Sequence, residues 1–242
     1  MVGQRIIVSG ATSGIGRGSA ALLARRGAKV WILGSRAERI ERAVAEIDGL
    51  AGASVCDVSD DAAVQRAFAE ATEALGGIDG AFVNAGIDGA GAPALDLTTD
   101  GLRRVLDVNV VGAFSVAREA AVRMSGGGAI VFNASINAFR PESHFADYNA
   151  SKAAVLSIAQ TMAIELAAAG IQVNTICPGY IPTDMTQQYV EDPEISAELL
   201  DNIPARRFGT VEEVAELVCF LLSGKAGYMS GAVVSIDGGR SV

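Results

Sequence analysis

With 242 residues, half of them hydrophobic and 28 of them glycine, the chain is long enough for one α/β domain with a substantial core. Many alanines and glycines suit helices packed closely on a parallel sheet. The formal charge of −9 argues against nucleic acid or an anionic membrane surface as a partner.

Strand and helix patterns alternate along the chain. Arg5–Ser9 is a short apolar run bounded by glycine, the pattern of a buried parallel strand. Further strands are expected at Lys29–Leu33, Ala53–Cys56, Gly80–Val83, Ala129–Asn133, Gln172–Ile176 and Val233–Ile236, with helices between them. Such alternation predicts a doubly wound parallel sheet of about seven strands in a single Rossmann-type domain. Ligands then bind at the C-terminal ends of the strands. Gly126–Gly128 reads as a tight turn before the fifth strand, and no linker or repeat divides the chain. The start of the chain shows no basic segment followed by an apolar one, so no secretory signal is expected. Apolar stretches such as Ala153–Ile171 are interrupted by Gln160 and Glu165, so no spanning helix is expected either. Cys56, Cys177 and Cys219 are odd in number and lack metal-ligand spacing, which points to buried thiols in a reducing cytoplasm and no metal.

Two segments carry chemistry. After the first strand, Gly10, Thr12, Ser13, Gly14, Ile15 and Gly16 lie in a glycine-rich turn with the spacing G-x-x-x-G-x-G, running into a helical pattern. A turn of this kind exposes backbone N–H groups at a helix N-terminus, where a pyrophosphate binds. Further on, Tyr148 and Lys152 stand four residues apart, which puts them on one face of a helix. A cation beside a phenol favours the phenolate and lowers a pKa that is otherwise about 10. A tyrosine so tuned can exchange a proton with a carbinol oxygen, and Ser135 can hydrogen-bond the same oxygen.

Taken together, these motifs resemble the short-chain dehydrogenase/reductase family over nearly the whole chain. Ser9–Gly16 looks like its cofactor turn, with serine where threonine is commoner. Val83-Asn84-Ala85-Gly86 is similar to the segment after its fourth strand, with valine in place of a frequent asparagine. Asn109, Ser135, Tyr148 and Lys152 match its active-site residues. Pro178-Gly179 opens the expected loop, which continues through Ile181 to Thr183, where a threonine commonly holds the nicotinamide carboxamide. Asp237-Gly238-Gly239 matches the C-terminal signature. The resemblance implies hydride transfer between a nicotinamide and a carbonyl carbon, with Tyr148 exchanging the proton and Ser135 polarising the substrate oxygen. It also implies that Lys152 lowers the Tyr148 pKa and binds the nicotinamide ribose, and that Asn109 holds a water in a proton relay. Asp57-Val58 resembles an adenine clamp, although Asp57 also suits a helix N-cap.

After the second strand, Leu33-Gly34-Ser35-Arg36 carries no carboxylate before Glu38. An acid there would accept the ribose hydroxyls of NAD, whereas Ser35 and Arg36 suit a 2′-phosphate, so NADP(H) is expected over NAD(H). The substrate pocket is expected to involve Ile136, Asn137, His144, Phe145 and Tyr180, under a lid at about 183–208. His144, the only histidine, is weighed as a second general base. Asn137 hints at a polar group on a small carbonyl or alcohol substrate. The alternatives are a 3-oxoacyl-[acyl-carrier-protein] reductase, with Arg206 and Arg207 in a docking patch, and a non-catalytic NADP-sensing regulator. By resemblance the chain is a homotetramer or homodimer, paired through helices at Gly101–Met124 and Tyr148–Ala169.

Overall fold

A computed structural model describes all residues, Met1–Val242. The parallel sheet comprises β1 (Arg5–Ser9), β2 (Lys29–Gly34), β3 (Leu50–Val55), β4 (Gly80–Val83), β5 (Gly128–Asn133), β6 (Ile171–Pro178) and β7 (Val233–Ile236). Their order in space is β3-β2-β1-β4-β5-β6-β7, so the order reverses between β1 and β4. That reversal opens a crevice at the strands' C-terminal ends.

The side-chain alternation of a strand explains why β1 is apolar throughout. Ile6 and Val8 point to one face of the sheet, into a core shared with Leu23, Val214 and Val218. Ile7 points to the other, among Phe68, Ala117 and Ala159. Helices α1 (Gly14–Arg25), α2 (Ala37–Glu46) and α9 (Val211–Leu222) cover the first face; α3 (Asp61–Leu75), α5 (Ala113–Ala121) and α6 (Ala146–Leu166) cover the second. The three cysteines are buried and free, and burial pushes each thiol up to about 11.

Several elements differ from their sequence readings. β3 begins at Leu50 rather than Ala53, because β2 offers hydrogen-bonding partners from Val30 onward across a register shift. The helix expected over Gly101–Met124 is three pieces: α4 (Thr99–Leu106), a π-helical stretch at Asp107–Gly112, and α5. The cause is Asn109, whose side chain is drawn into bonds with the chain after β4. The helix running from Ala146 to Ala169, its last turn 3₁₀, is by length and composition apolar enough to cross a membrane, contrary to the sequence reading. Here its residues Val155, Ala159, Met162 and Ala163 belong to the core. Between β6 and α9, α7 (Gln187–Glu191) and α8 (Pro193–Asp201) contribute no buried residue.

Candidate active site

Three side chains fasten the strand ends that form the crevice. The Ser9 hydroxyl accepts from the backbone N–H groups of Asn84 (3.0 Å) and Ala85 (3.2 Å). Asn84 Nδ2 donates to the carbonyls of Ser9 (3.1 Å) and Gly10 (3.0 Å), and its Oδ1 accepts from Asn133 Nδ2 at 2.8 Å. β1, β4 and β5 therefore end in one hydrogen-bonded frame. Asn84, expected as a cofactor ligand, also builds this frame, and Asn133 escaped the sequence reading because its partner is 49 residues away.

A cavity of about 1060 Å³ runs across this frame. It is lined by Gly10, Thr12, Ser13, Gly14 and Ile15 at the head of α1, and by Ser35 and Arg36 after β2. Asp57, Val58, Asn84, Ala85 and Gly86 follow, and then Ser135, Tyr148, Lys152, Pro178, Gly179, Ile181 and Thr183. Gly16 lies beneath the lining, where a Cβ would stand 2.2 Å from the Gly10 carbonyl oxygen. The first N–H groups of α1 have no intrahelical partner, the Ser13 side chain does not cap them, and no acid stands in the first turn. These residues fit a dinucleotide: a cationic, donor-rich cradle at one point, with Ser135, Tyr148 and Lys152 further along.

Arg36 is exposed and makes no ion pair, and the cavity also reaches Arg39, which the sequence reading passed over. The signal was present, since residues three apart on a helix are neighbours. Asp57 is not the N-cap of α3. That role falls to Asp60, which accepts from Ala62 and Ala63, while Asp57 accepts from Ser59.

Lys152 Nζ donates to the Asn133 carbonyl at 2.9 Å and lies 5.4 Å from the centroid of the Tyr148 ring. The ammonium faces the ring, and the expected lowering of the phenol is not seen. Burial pushes Tyr148 up, the charge of Asp88 adds to this, and a hydrogen bond from Ser135 opposes it. Burial also brings Lys152 down to about 8. Asn109 is buried, its Oδ1 accepting from Ile87 N (2.8 Å) and its Nδ2 donating to Ile87 O (2.9 Å) and Ser151 Oγ (3.0 Å). Its side-chain amide thus ties the loop after β4 to Ser151 of α6.

Lys152 makes stability depend on pH. Between pH 8 and its ordinary value of 10.5 the folded chain has released this proton while the unfolded chain retains it, so stability rises with pH. Below pH 8 the cost of burying the charge stands in full. Urea unfolding of the wild type and Lys152→Met, compared from pH 7.5 to 10, is expected to show wild type gaining about 2 kcal/mol on the variant. A pH-independent difference would contradict a buried, charged Lys152.

Beside Tyr148 a second cavity, of about 90 Å³, is lined by Asp88, Ile136, Asn137, Glu142, Phe145 and Tyr180 among others. Asn137 Nδ2 donates to Asn149 Oδ1 at 3.0 Å. The Tyr180 hydroxyl donates to Glu142, which also lies 3.8 Å from Arg240. His144 is exposed and lines neither cavity, so the structure does not bring it to the site as a second base or substrate contact. Asp88 and Glu142 were missed because neither belongs to a motif.

A family model described as enoyl-(acyl carrier protein) reductase, within the short-chain dehydrogenase/reductases, matches residues 10–241. The chain belongs to the short-chain dehydrogenase/reductase family. It is thus one of the NAD(P)-dependent oxidoreductases of CH–OH and C=O groups. It is similar to the 3-oxoacyl-[acyl-carrier-protein] reductase MabA of Mycobacterium bovis, with 38 % identity over 100 % of this chain and 94 % of the relative. With glucose 1-dehydrogenase of Gluconobacter oxydans it shares 32 % identity, over 99 % of this chain and 92 % of the relative. The crystal structure of levodione reductase superposes with a TM-score of 0.95 at 33 % identity, covering 100 % of this chain and 98 % of that one.

Proposed function

We propose that the protein is an NADP(H)-dependent oxidoreductase that interconverts a small ketone and its secondary alcohol, with Tyr148 as the general acid/base. The observation that carries this reading is the convergence of Ser135, Tyr148 and Lys152 on one cavity that continues to the α1 cradle and to Arg36. The bound nicotinamide supplies or takes up the hydride at its C4. In the reducing direction Tyr148 gives its hydroxyl proton to the carbonyl oxygen as negative charge develops there. The Ser135 hydroxyl donates a hydrogen bond to that oxygen and holds it in line with Tyr148. Lys152 keeps positive charge beneath the phenol, favouring the phenolate left behind, and offers its remaining donors to the nicotinamide ribose. Thr183, at the mouth of the segment 183–208, holds the carboxamide, and α7 and α8 close over the substrate as a lid.

Ser35, Arg36 and Arg39 favour a 2′-phosphate, since two unpaired guanidinium groups and a hydroxyl meet it without an opposing acid. Arg36→Glu is expected to weaken NADPH about 10- to 100-fold and move the preference toward NADH, as read from kcat/KM with both nucleotides. An unchanged NADPH/NADH ratio would remove Arg36 from the cofactor site.

The identity with MabA favours a second reading, reduction of a 3-oxoacyl chain on an acyl carrier protein. Against it, the basic residues that would dock an acidic carrier are already paired: Arg123 with Glu119, Arg206 with Asp201 and Arg207 with Glu213. A regulator that only senses NADP has no need of the assembled Ser135, Tyr148 and Lys152. Exposed Val111 in the π-helical stretch, Phe114 on α5 and Val122 just after it, with Ile164 on α6, support self-association as a dimer or tetramer. Three free buried thiols suit a cytoplasmic setting. NADPH oxidation measured against free ketones and a 3-oxoacyl thioester tests the choice. Faster reduction of the free ketones is expected, and a strong preference for the thioester would favour the carrier-protein reading.

A further inference from the structure

The loop after β4 is held from both sides, and one charged side chain faces the substrate cavity from it. On one side Asn109 exchanges two hydrogen bonds with the backbone of Ile87. On the other, the fully buried Asp147 accepts from Ala90 N at 3.0 Å through Oδ2 and from Tyr148 N at 2.8 Å through Oδ1. Gly89 runs so close to this carboxylate that a Cβ there would stand 2.3 Å from Oδ1. Asp147 thus ties the loop directly to the residue before which it stands, Tyr148. Asp88, between these clamps, accepts only from Gly89 N, at 2.9 Å through Oδ1; its Oδ2 has no partner in the protein. Asp88 and Tyr148 line the same cavity of about 90 Å³, so the carboxylate faces the space beside the reacting carbon of a substrate held at Tyr148.

The charge around this cavity is one-sided. Asp88 and Glu142 line it, and no lysine, arginine or histidine does, Lys152 facing the larger cavity instead. A carboxylate or phosphate on the substrate meets two like charges. A substrate ammonium next to the reacting carbon is opposed by the ammonium of Lys152, whose charge acts on Asp88 from the adjoining cavity. A hydroxyl meets neither penalty and can donate to Asp88. Glu142 is already served by the Tyr180 hydroxyl and by Arg240, which leaves Asp88 as the acceptor in need of a donor.

We infer that Asp88 is a specificity-determining residue that accepts a hydrogen bond from a substrate hydroxyl, so that the enzyme takes uncharged α-hydroxy ketones and, in the reverse direction, vicinal diols. The inference rests on the carbonyl-reductase reading above. Burial, with the charges of Asp147 and Glu142, holds the Asp88 carboxyl above its ordinary range, and a hydroxyl donor relieves that strain on its charged form.

Acetoin, butanone and 2-oxobutanoate share a chain length and differ in the group beside the ketone. With the wild type, kcat/KM for acetoin is expected to exceed that for butanone by about 10- to 100-fold, with 2-oxobutanoate lowest. Asp88→Leu is expected to bring the acetoin/butanone ratio to within about threefold of unity. Asp88→Asn keeps the shape of the side chain and removes its charge, and is expected to raise 2-oxobutanoate relative to butanone about tenfold. NADPH affinity, read by fluorescence titration, reports that each variant is folded. A wild-type ratio near one, or a ratio unmoved in both variants, would overturn the role of Asp88 while leaving the reductase reading standing. Failure of the wild type to reduce any ketone while binding NADPH would overturn both.

Discussion

Replacing Tyr148 with phenylalanine is expected to lower kcat by about 10³-fold while leaving NADPH affinity within a few-fold of wild type. The substitution removes one oxygen and keeps the ring that lies 5.4 Å from the Lys152 ammonium, so the packing at the head of α6 survives. What is lost is the one phenol that lines both cavities beside Ser135 and Lys152, since Ser135 is an alcohol of far higher pKa, the Tyr180 hydroxyl is already given to Glu142, and His144 is exposed and lines neither cavity. Burial keeps the phenol protonated at neutral pH, the form needed for reduction. Steady-state rates with a ketone that the wild type reduces, beside nucleotide titration, separate the two effects. Near-normal turnover in the variant would remove Tyr148 from the chemistry.

Gly16→Ala is expected to cost about 3 to 5 kcal/mol of folding free energy and to abolish measurable NADPH binding. The new Cβ would lie 2.2 Å from the Gly10 carbonyl oxygen and 2.4 Å from Asn84 Nδ2. Neither neighbour can yield cheaply. The carbonyl belongs to the backbone of the cofactor turn, and Asn84 is bonded to Ser9, Gly10 and Asn133 at once. Any relief therefore spreads the frame that joins β1, β4 and β5. Gly126→Ala is the matched control, because its Cβ would meet nothing within 4 Å. Urea denaturation of both variants checks the prediction, and equal stability of the two would refute the crowding argument.

The parts of this fold that were legible in the sequence are those governed by local rules. β1 and β4 have the limits that their short apolar runs suggested, because a strand buried on both faces has no other composition open to it, and the edge strand β7 has its expected limits too. The i, i+4 spacing of Tyr148 and Lys152 sufficed to put them on one face of α6, and the glycines sufficed to mark the turn before α1. Long-range features were not legible. The π-helical stretch at Asn109 depends on Ile87, 22 residues away, and the anchoring of Asp88 depends on Asp147, which lies in another element. The direction of the Tyr148 shift was misjudged for a related reason. Spacing brings the lysine to the right face, but the upward shift of the phenol comes from burial and the charge of Asp88, both set by the whole fold. His144 stood at a tempting place in the sequence, and its exposure to solvent is set by the loop before α6, which no local pattern announces.

The most direct test of the central claim is to follow the hydride itself. NADPH carrying deuterium at C4 of the nicotinamide, in each stereochemical form, is incubated with the enzyme and acetoin or butanone, and the alcohol formed is examined by mass spectrometry. Deuterium on the carbinol carbon from one of the two forms, and its loss in Tyr148→Phe, is the expected result. A product without deuterium from either form, or no alcohol at all despite tight NADPH binding, would contradict the assignment of this site to carbonyl reduction.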